Sequence, residues 1–443
     1  MVDLDRLLSS RCRVVLVGMG VTNRAVAGAL VRRGHDVVAV DDQPDDSLRD
    51  AVKHLGLELA SSADLTTLLH QADLMAPSPG LPETHPAFTA AHDAGVPVVS
   101  EFDLAAVWDH RPVIAITGTN GKTTVVGLTV AALQAAGWVA VEAGNTDVPL
   151  VAAIDDPAVE VFVAEASSFR LSSSHRFRPQ VGTWLNFAPD HLDVHRDLAA
   201  YERAKAQLFS LVASDGVVVA NADDPVVMSH VPVDRTVITF GQAGQWRAEG
   251  GELVGPEGTF GLVTQLWRTL PHDIEDTLAV AATVAALGVG SDAVVKAAAE
   301  FRPLAHRVSP VGCLDGQTYY DDSKATTPHA TLAALRGFDR VVLIAGGRNK
   351  GIDLSALLGE VDRLQGVVAI GDASEEVEEV FRGRCPVVRA ENMDDAVDVA
   401  RRLSQRTVPV LLSPACASFD WYRNYGERGD DFARAVAAAG VSS

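Results

Sequence analysis

The chain has 443 residues, 47% of them hydrophobic and 21% charged, and a formal net charge of −21. That length exceeds one ordinary domain, and the balance is that of a packed globular protein, which excludes a disordered chain. So negative a surface repels a polyphosphate backbone and argues against nucleic acid as a partner, while a locally positive site for an anionic small molecule stays possible.

Cys12, Cys313, Cys385 and Cys416 lie far apart with no CxxC pair. Their spacing excludes a disulfide framework and a zinc knuckle, and it fits a reducing cytosol. The opening MVDLDRLLSS lacks the basic-then-apolar layout of a signal peptide. The longest small apolar stretch, Leu278 to Gly290, is shorter than the ~20 residues a membrane span needs. The expectation is a soluble cytoplasmic protein with no membrane partner.

From the start of the chain, short β-branched runs alternate with Ala/Leu-rich helical stretches, without a fixed repeat. That alternation predicts the α/β class with parallel sheets. RVVLVGMG (13–20) reads as strand then turn, followed by a helix to about Arg33, a stop at Gly34, and a strand over 36–40. Pro-rich APSPGLPETHP (76–86) reads as a loop. A second α/β start comes at PVIAITG (112–118), with strands expected at 161–164, 181–186, 217–220 and 237–240. A third opens after FRPLAHR (301–307), with strands within 340–347, 366–371 and 408–415. Three starts predict three domains, 1–108, 109–298 and 299–443.

Gly18 and Gly20 stand between strand and helix as in a dinucleotide fingerprint, with Asp41 and Asp42 ending the next strand. Asn23 occupies the third glycine position, so helix and strand are expected to pack less closely there. A diphosphate on the helix N-terminus and a ligand-free structural turn both fit. In GTNGKTT (118–124) only Thr119 and Asn120 separate Gly118 from Gly121, fewer than the usual four residues of a phosphate loop. Strand, loop and helix are nonetheless in register. The backbone N–H groups of such a loop converge on phosphate oxygens, Lys122 adds a point charge, and the Thr123 or Thr124 hydroxyl can join a magnesium shell. Nucleotide binding is the stronger reading.

Downstream, Glu165 ends a buried strand, where a carboxylate needs a metal or a partner. NFAPDHLDVH holds Asp190, His191, Asp193 and His195, a crowd without zincin spacing. Lys205, three residues after Glu202, reads by itself as an exposed lysine in a modest ion pair. In the third part, YYDDSKATTPHA, IAGGRNKGIDL and LLSPACASFDWYRNYGERGDDF begin at or follow strands, so their polar residues belong at a carboxyl edge. Cys416 reads as a small buried apolar residue rather than a nucleophile.

Taken together, GTNGKTT, SPGLPETHP, DDSKATT, GGRNKG and SPACASFD…ERGDDF resemble the ATP-dependent Mur ligase family over the whole chain, in matching order. The short loop is that family's own form. The resemblance implies a Rossmann-like N-terminal domain, a central P-loop ATPase-like domain and a Rossmann-like C-terminal domain. It implies ligation of D-glutamate to UDP-N-acetylmuramoyl-L-alanine through an acyl phosphate, by a monomer using ATP and two magnesium ions. Such chemistry rests on charge neutralisation and positioning rather than a protein nucleophile.

By the match, Gly118, Thr119, Asn120, Gly121, Lys122, Thr123 and Thr124 hold ATP phosphates, and Asn145 serves the nucleotide and metal shell. Thr123, Glu165, His191 and Lys205 serve the magnesium ions, Lys205 as a carbamate formed with carbon dioxide. Lys122, His191 and Lys205 are the catalytic set. Asp273, Arg307, Asp322 and Lys324 match ATP contacts, and Val21, Thr22, Asp41, Ser78 and Gly80 match a UDP-sugar cradle. Thr326, Lys350, Ser418, Phe419 and Tyr425 match the amino-acid pocket.

Three residues depart from the pattern: Asp273 and Thr327 stand where asparagine is usual, and Arg170 where glutamine is. None touches the lysine or metal positions, so activity is not put in doubt, and nucleotide affinity is the property the departures bring into question. The rival readings are a sibling ligase with another amino acid or a folate-type acceptor, a nucleotide-binding switch or kinase, and an inactive scaffold. A kinase gives no task to the first and third domains, and the intact Lys122, Glu165, His191 and Lys205 argue against a scaffold.

Overall fold

The computed structural model describes residues 3–191, 194–302 and 304–441. Asp193, one of the four residues of the acid–histidine crowd, lies outside them. Four sheets form. The first is parallel, in order β3-β2-β1-β4, from β1 (Arg13–Val17), β2 (Asp36–Val40), β3 (Glu58–Ala60) and β4 (Leu74–Pro77). The second is parallel, in order β10-β9-β8-β5-β7-β6. It comprises β5 (Val113–Thr117), β6 (Ala140–Gly144), β7 (Val161–Glu165), β8 (Val181–Trp184), β9 (Val217–Asn221) and β10 (Thr236–Phe240). Helices intervene between successive strands because a parallel pair needs a crossover.

Two features escape the sequence pattern. One is a small antiparallel sheet of β11 (Arg247–Glu249), β12 (Glu252–Gly255) and β13 (Gly258–Leu262). Its strands are short, joined through glycines and mostly half-buried or exposed, so no apolar alternation marks them. The other is the antiparallel hairpin of β14 (Ser309–Leu314) and β15 (Gln317–Asp321) on the edge of the last sheet. That sheet continues with β16 (Val341–Gly346), β17 (Leu364–Ile370), β18 (Val387–Arg389) and β19 (Val410–Ala415), in order β14-β15-β19-β16-β17-β18. Every residue of β16 and β19 is buried, the continuous apolar run expected of parallel strands covered on both faces.

The chain divides into two compact units. One is Met1–Phe187, Asp193–Trp267 and Glu275–Phe301; the other is Ala188–Leu192, Arg268–Ile274 and Arg302–Ser443. Within the first unit the first two sheets share a core running from Leu16 and Ala39 through Phe102 and Leu104 to Ala115 and Phe162. Asp103 fastens this junction. Its carboxylate, fully buried, accepts from the backbone N–H groups of His175, Arg176 and Phe177 at 2.6–3.1 Å and from that of Ser100 at 3.2 Å.

Asn23, at the fingerprint's third glycine position, is tied to the strand ends by its side-chain amide. The side chain is buried, and Nδ2 donates to the carbonyls of Gly18 (2.8 Å), Ala76 (3.1 Å) and Val17 (3.3 Å). An amide replaces the missing glycine by satisfying carbonyls at the ends of β1 and β4.

Candidate active site

In the first unit the side chains predicted for the site lie at the carboxyl edges of two parallel sheets, where open α/β sheets bind ligands. The helix Val21–Arg32 follows β1 directly, with Gly20 as its cap. Val21 is exposed, Thr22 is nearly buried, and Asp41 accepts from the N–H of Met19 at 2.8 Å. The loop after β4 is held to the same edge, because the Ser78 N–H donates to the Val17 carbonyl at 2.7 Å. Gly80 follows in that loop. A cavity of about 250 Å³ opens there, lined by Ser78, Pro79, Glu101, Phe169, Arg170 and His195.

β5 leads into the 118–124 loop, and the helix Lys122–Ala135 leaves it. Gly121 has φ 84°, a region that favours glycine. A Cβ there would stand 2.8 Å from Asp276 Oδ1. The loop is braced from the end of β8: Asn186 Oδ1 accepts from Asn120 N–H at 2.9 Å, and its carbonyl accepts from Thr119 N–H at 3.1 Å. Asn186 was given no role from the sequence; its only signal was a polar residue closing the apolar run of β8.

Lys122 Nζ donates to the carbonyls of Gly118 (2.8 Å) and Thr119 (2.9 Å). Lys205 Nζ donates to the same Gly118 carbonyl at 2.7 Å and lies 4.7 Å from the Tyr201 ring centroid. The bare-sequence reading of Lys205 as an exposed lysine paired with Glu202 is therefore overturned. Lys205 is 1% exposed, and Glu202 meets His230 at 2.7 Å instead. Spacing on a helix gives the face of a residue only relative to its neighbours, so it could not tell that Lys205 points inward.

Glu165 ends β7 with 4% exposure. Its Oε2 accepts from the Thr123 hydroxyl and its Oε1 from the Asn145 amide, both at 2.9 Å. Among the described residues no three His, Cys, Asp or Glu side chains cluster to hold a metal. A carboxylate and a hydroxyl beside a phosphate loop fit a hard cation that keeps water and phosphate oxygens as ligands, not an all-protein cage.

Arg170 reaches further than its place outside the lysine and metal positions suggested. The side chain is 5% exposed; Nη1 donates to Asn145 Oδ1 at 2.7 Å, Nη2 to Thr22 Oγ1 at 2.8 Å, and Nε to Glu101 Oε1 at 3.0 Å. The expectation that this departure leaves the metal shell untouched is corrected: Arg170 is one hydrogen bond from Glu165's amide partner. Burial pushes the Glu101 carboxyl up, against the pull of the Arg170 guanidinium. His195 is buried and structural, set between Glu83 (2.7 Å) and the Ser168 hydroxyl (2.9 Å) and stacked on Phe169.

The second unit carries the remaining predicted residues. His191 has φ 56°, and Asp190 accepts from its N–H at 2.8 Å. Asp273 is buried, and its two oxygens accept from Arg268 at 2.6 and 2.8 Å. Arg307 Nε is buried without a hydrogen-bond partner, an orphaned donor that an anionic ligand would satisfy. Asp322 is buried, and desolvation raises its carboxyl to about 7 although Ser413 Oγ donates to it at 2.8 Å. Lys324 lies over the Tyr425 ring at 5.1 Å.

Thr326 is half-buried, and Thr327 caps the helix Pro328–Leu335 by accepting from Ala330 N–H, so a hydroxyl does there what an asparagine side chain would. The loops after β16 and β19 are joined by reciprocal backbone bonds between Arg348 and Ala417. Lys350, Ser418 and Phe419 therefore share one edge of the sheet, with Phe419 exposed and Ser418 buried. Arg428, quoted in the motif but given no role, ties the loop after β15 to the loop after β19: 1% exposed, it donates to Ser323 Oγ, the Ser323 carbonyl and the Cys416 carbonyl. Burial lowers its pKa to about 10. Burial also raises the Cys416 thiol to about 12, against a nucleophilic role.

Parallel sheets with a phosphate loop at the carboxyl edge of a central strand, a buried lysine on that loop and a carboxylate beside it define a nucleotide-binding α/β protein. Residues 12–100 match the Mur ligase MurD-like N-terminal domain, 116–262 the Mur ligase middle domain, and 306–416 the Mur ligase glutamate ligase domain. The chain belongs to the Mur ligase family. It is 39% identical to the UDP-N-acetylmuramoylalanine–D-glutamate ligase of Frankia casuarinae, over 96% of this chain and 94% of that one. Its identity to the enzyme of the same name from Desulfosudis oleivorans is 38%, over 96% of each. In fold it resembles the UDP-N-acetylmuramate-alanine ligase MurC of Thermotoga maritima (TM-score 0.58, 18% identity, 97% of this chain and 100% of that one). It likewise resembles MurF of Acinetobacter baumannii (TM-score 0.62, 16% identity, 95% and 93%).

Proposed function

We propose that the protein is an ATP-dependent ligase that joins D-glutamate to UDP-N-acetylmuramoyl-L-alanine in peptidoglycan synthesis, acting in the cytoplasm as a monomer. The observation that carries the reading is the pair Lys122 and Lys205 meeting at the Gly118 carbonyl, with Glu165 and Thr123 hydrogen-bonded beside the same loop. Relatives of that name, aligned along nearly the whole chain, support the choice of substrates. The three domains are proposed as 1–108 for the UDP-sugar substrate, 109–298 for ATP and 299–443 for the amino acid.

The reaction has two displacements. A carboxylate oxygen of the UDP-linked substrate attacks the γ-phosphorus of ATP, and the bond to ADP breaks to leave an acyl phosphate. The amine of D-glutamate then attacks the acyl carbon, the C–O bond to phosphate breaks, and the nitrogen gives up a proton as the amide forms. Loop amides and Lys122 orient and neutralise the phosphates, and the loop hydroxyls accompany them. Thr123 and Glu165, with His191 and Lys205, would hold two magnesium ions, whose positive charge offsets that building on the transferred group.

Two ammonium groups at one carbonyl repel. Lys205 as a carbamate would turn that repulsion into attraction and add an anionic oxygen ligand. The helix start at Val21 and Thr22, with Asp41, Ser78 and Gly80, takes the UDP moiety. Asn145, Asp273, Arg307, Asp322 and Lys324 take further parts of ATP, and Thr326, Lys350, Ser418, Phe419 and Tyr425 take the amino acid. The test is phosphate release from ATP with UDP-N-acetylmuramoyl-L-alanine while the amino acid is varied. Release dependent on D-glutamate is expected. Dependence on another amino acid makes the protein a sibling ligase, and release without any amino acid refutes ligation.

A further inference from the structure

An unbroken line of side-chain hydrogen bonds runs through the first unit from the helix start at Thr22 to the phosphate loop at Thr123. Arg170 Nη2 donates to Thr22 Oγ1 (2.8 Å) and Nη1 to Asn145 Oδ1 (2.7 Å). Asn145 Nδ2 donates to Glu165 Oε1, and Thr123 Oγ1 to Glu165 Oε2, each at 2.9 Å. Glu101, beside Arg170 Nε at 3.0 Å and 2% exposed, is the buried counter-ion that lets a guanidinium sit in the middle of this line.

We infer that Arg170 is a positioning residue that couples occupancy of the cradle at Thr22 to the state of Glu165 at the end of β7, beside the phosphate loop. The inference rests on the reading of those two places as the UDP-sugar and ATP sites. Its physical basis is donor and acceptor polarity. Arginine carries donors only, in a planar fork, so it fixes the role of every neighbour. Asn145 must turn its oxygen to Arg170, which aims its NH₂ at Glu165. Thr22 accepts from Arg170, which leaves its own hydroxyl proton to be given to an anionic ligand at the helix start. A glutamine at this position has two donors and one acceptor, and cannot serve three acceptors at once. Drawing Glu165 toward a cation therefore pulls on Asn145, then on the fork, then on Thr22, and the line runs equally in reverse. Coupling between two binding equilibria is reciprocal by necessity.

The experiment uses the full chain and isothermal titration calorimetry. The affinity for UDP-N-acetylmuramoyl-L-alanine is measured without and with saturating magnesium and a non-hydrolysable ATP analogue, and then the order of addition is reversed. In the native protein each ligand is expected to tighten the other by at least about fivefold, the low end of ordinary allosteric coupling. The double variant Arg170→Gln/Glu101→Gln, which removes both charges together, is expected to bring the mutual factor below about twofold, whatever it does to the affinity for each ligand alone. Arg170→Lys keeps a charge opposite Glu101 but lacks the fork, and it too is expected to lose the factor. A merely structural residue would lower the midpoint of unfolding and leave the factor intact. A native factor of one, or a native-sized factor in either variant, overturns the inference. Failure of the native protein to bind either ligand alone instead overturns the reading of the sites, and the inference falls with it.

Discussion

Replacing Gly121 by alanine tests the phosphate loop directly. Gly121 sits at φ 84° and ψ −23°, where an L-residue costs about 1–2 kcal/mol. The new Cβ would also stand 2.8 Å from Asp276 Oδ1 and 3.3 Å from Leu185 Cδ1, so the Asp276 side chain must leave its rotamer for about another 1 kcal/mol. The sum is about 2–3 kcal/mol. Gly137 supplies the control. It has φ 92° at the end of the same helix, and a Cβ there would meet nothing within 4 Å, so Gly137→Ala should lose only the backbone part, about 1–2 kcal/mol. Urea unfolding of both variants isolates the contact. Phosphate release isolates function: Gly121→Ala should lower kcat/KM for ATP at least about tenfold, which is ~1.4 kcal/mol of transition-state binding, and Gly137→Ala should leave it unchanged. A Gly121→Ala protein as stable and as active as Gly137→Ala would refute a close-fitting phosphate cradle here.

Lys205→Ala should lose most phosphate release, with partial recovery on adding formate or acetate; full activity without addition would rule out a required carbamate. Asp103→Ala orphans four backbone donors and should cost at least about 3 kcal/mol in urea unfolding, with Asp103→Asn, which keeps one acceptor oxygen, losing clearly less. Equal losses would mean that the carboxylate's hydrogen bonds are not what holds this junction. Asp322 has a folded pKa raised to about 7, so its contribution is fully present below the unfolded carboxyl's range and is lost as pH rises toward 7. The stability of Asp322→Asn relative to native should therefore grow between pH 5 and 8 by about 2–3 kcal/mol, and a difference constant with pH would contradict a carboxyl so buried.

The sheets and the loop were legible because each rests on a local pattern. β-branched runs of the right length announced β1, β5 and β16, and GTNGKTT with its flanking strand announced a phosphate site whatever the family. Lys205 was not legible, because burial is decided by what covers a helix rather than by spacing along it. Nor was Asp103, whose four backbone partners include three that lie more than 70 residues further on. The small sheet β11–β13 escapes the sequence pattern because strands of three to five residues with little burial carry no apolar alternation. The roles given to Arg307, Lys350 and Tyr425 came from resemblance, and residue type alone would have left each as an ordinary surface group.

The three departures from the family pattern share a physical logic that bears on how they should be tested. Thr327 caps its helix, a task an asparagine would do as well, because helix capping asks only for a side-chain oxygen. Asp273 and Arg170 bring a formal charge where the pattern has a neutral amide, and both are nearly buried. Each has an opposite charge at hydrogen-bond distance: Arg268 for Asp273 and Glu101 for Arg170. A buried charge is tolerated only with such a partner, so a single reversion at either place strands the other ion and measures mainly that penalty. Asp273→Asn by itself would take the counter-charge from Arg268, leaving it neutral partners such as the Arg307 and Val308 carbonyls and His272, and would confound ATP binding with stability. Only paired substitutions, Asp273→Asn with Arg268→Gln and Arg170→Gln with Glu101→Gln, separate what these charges do for ligands from what they do for the fold.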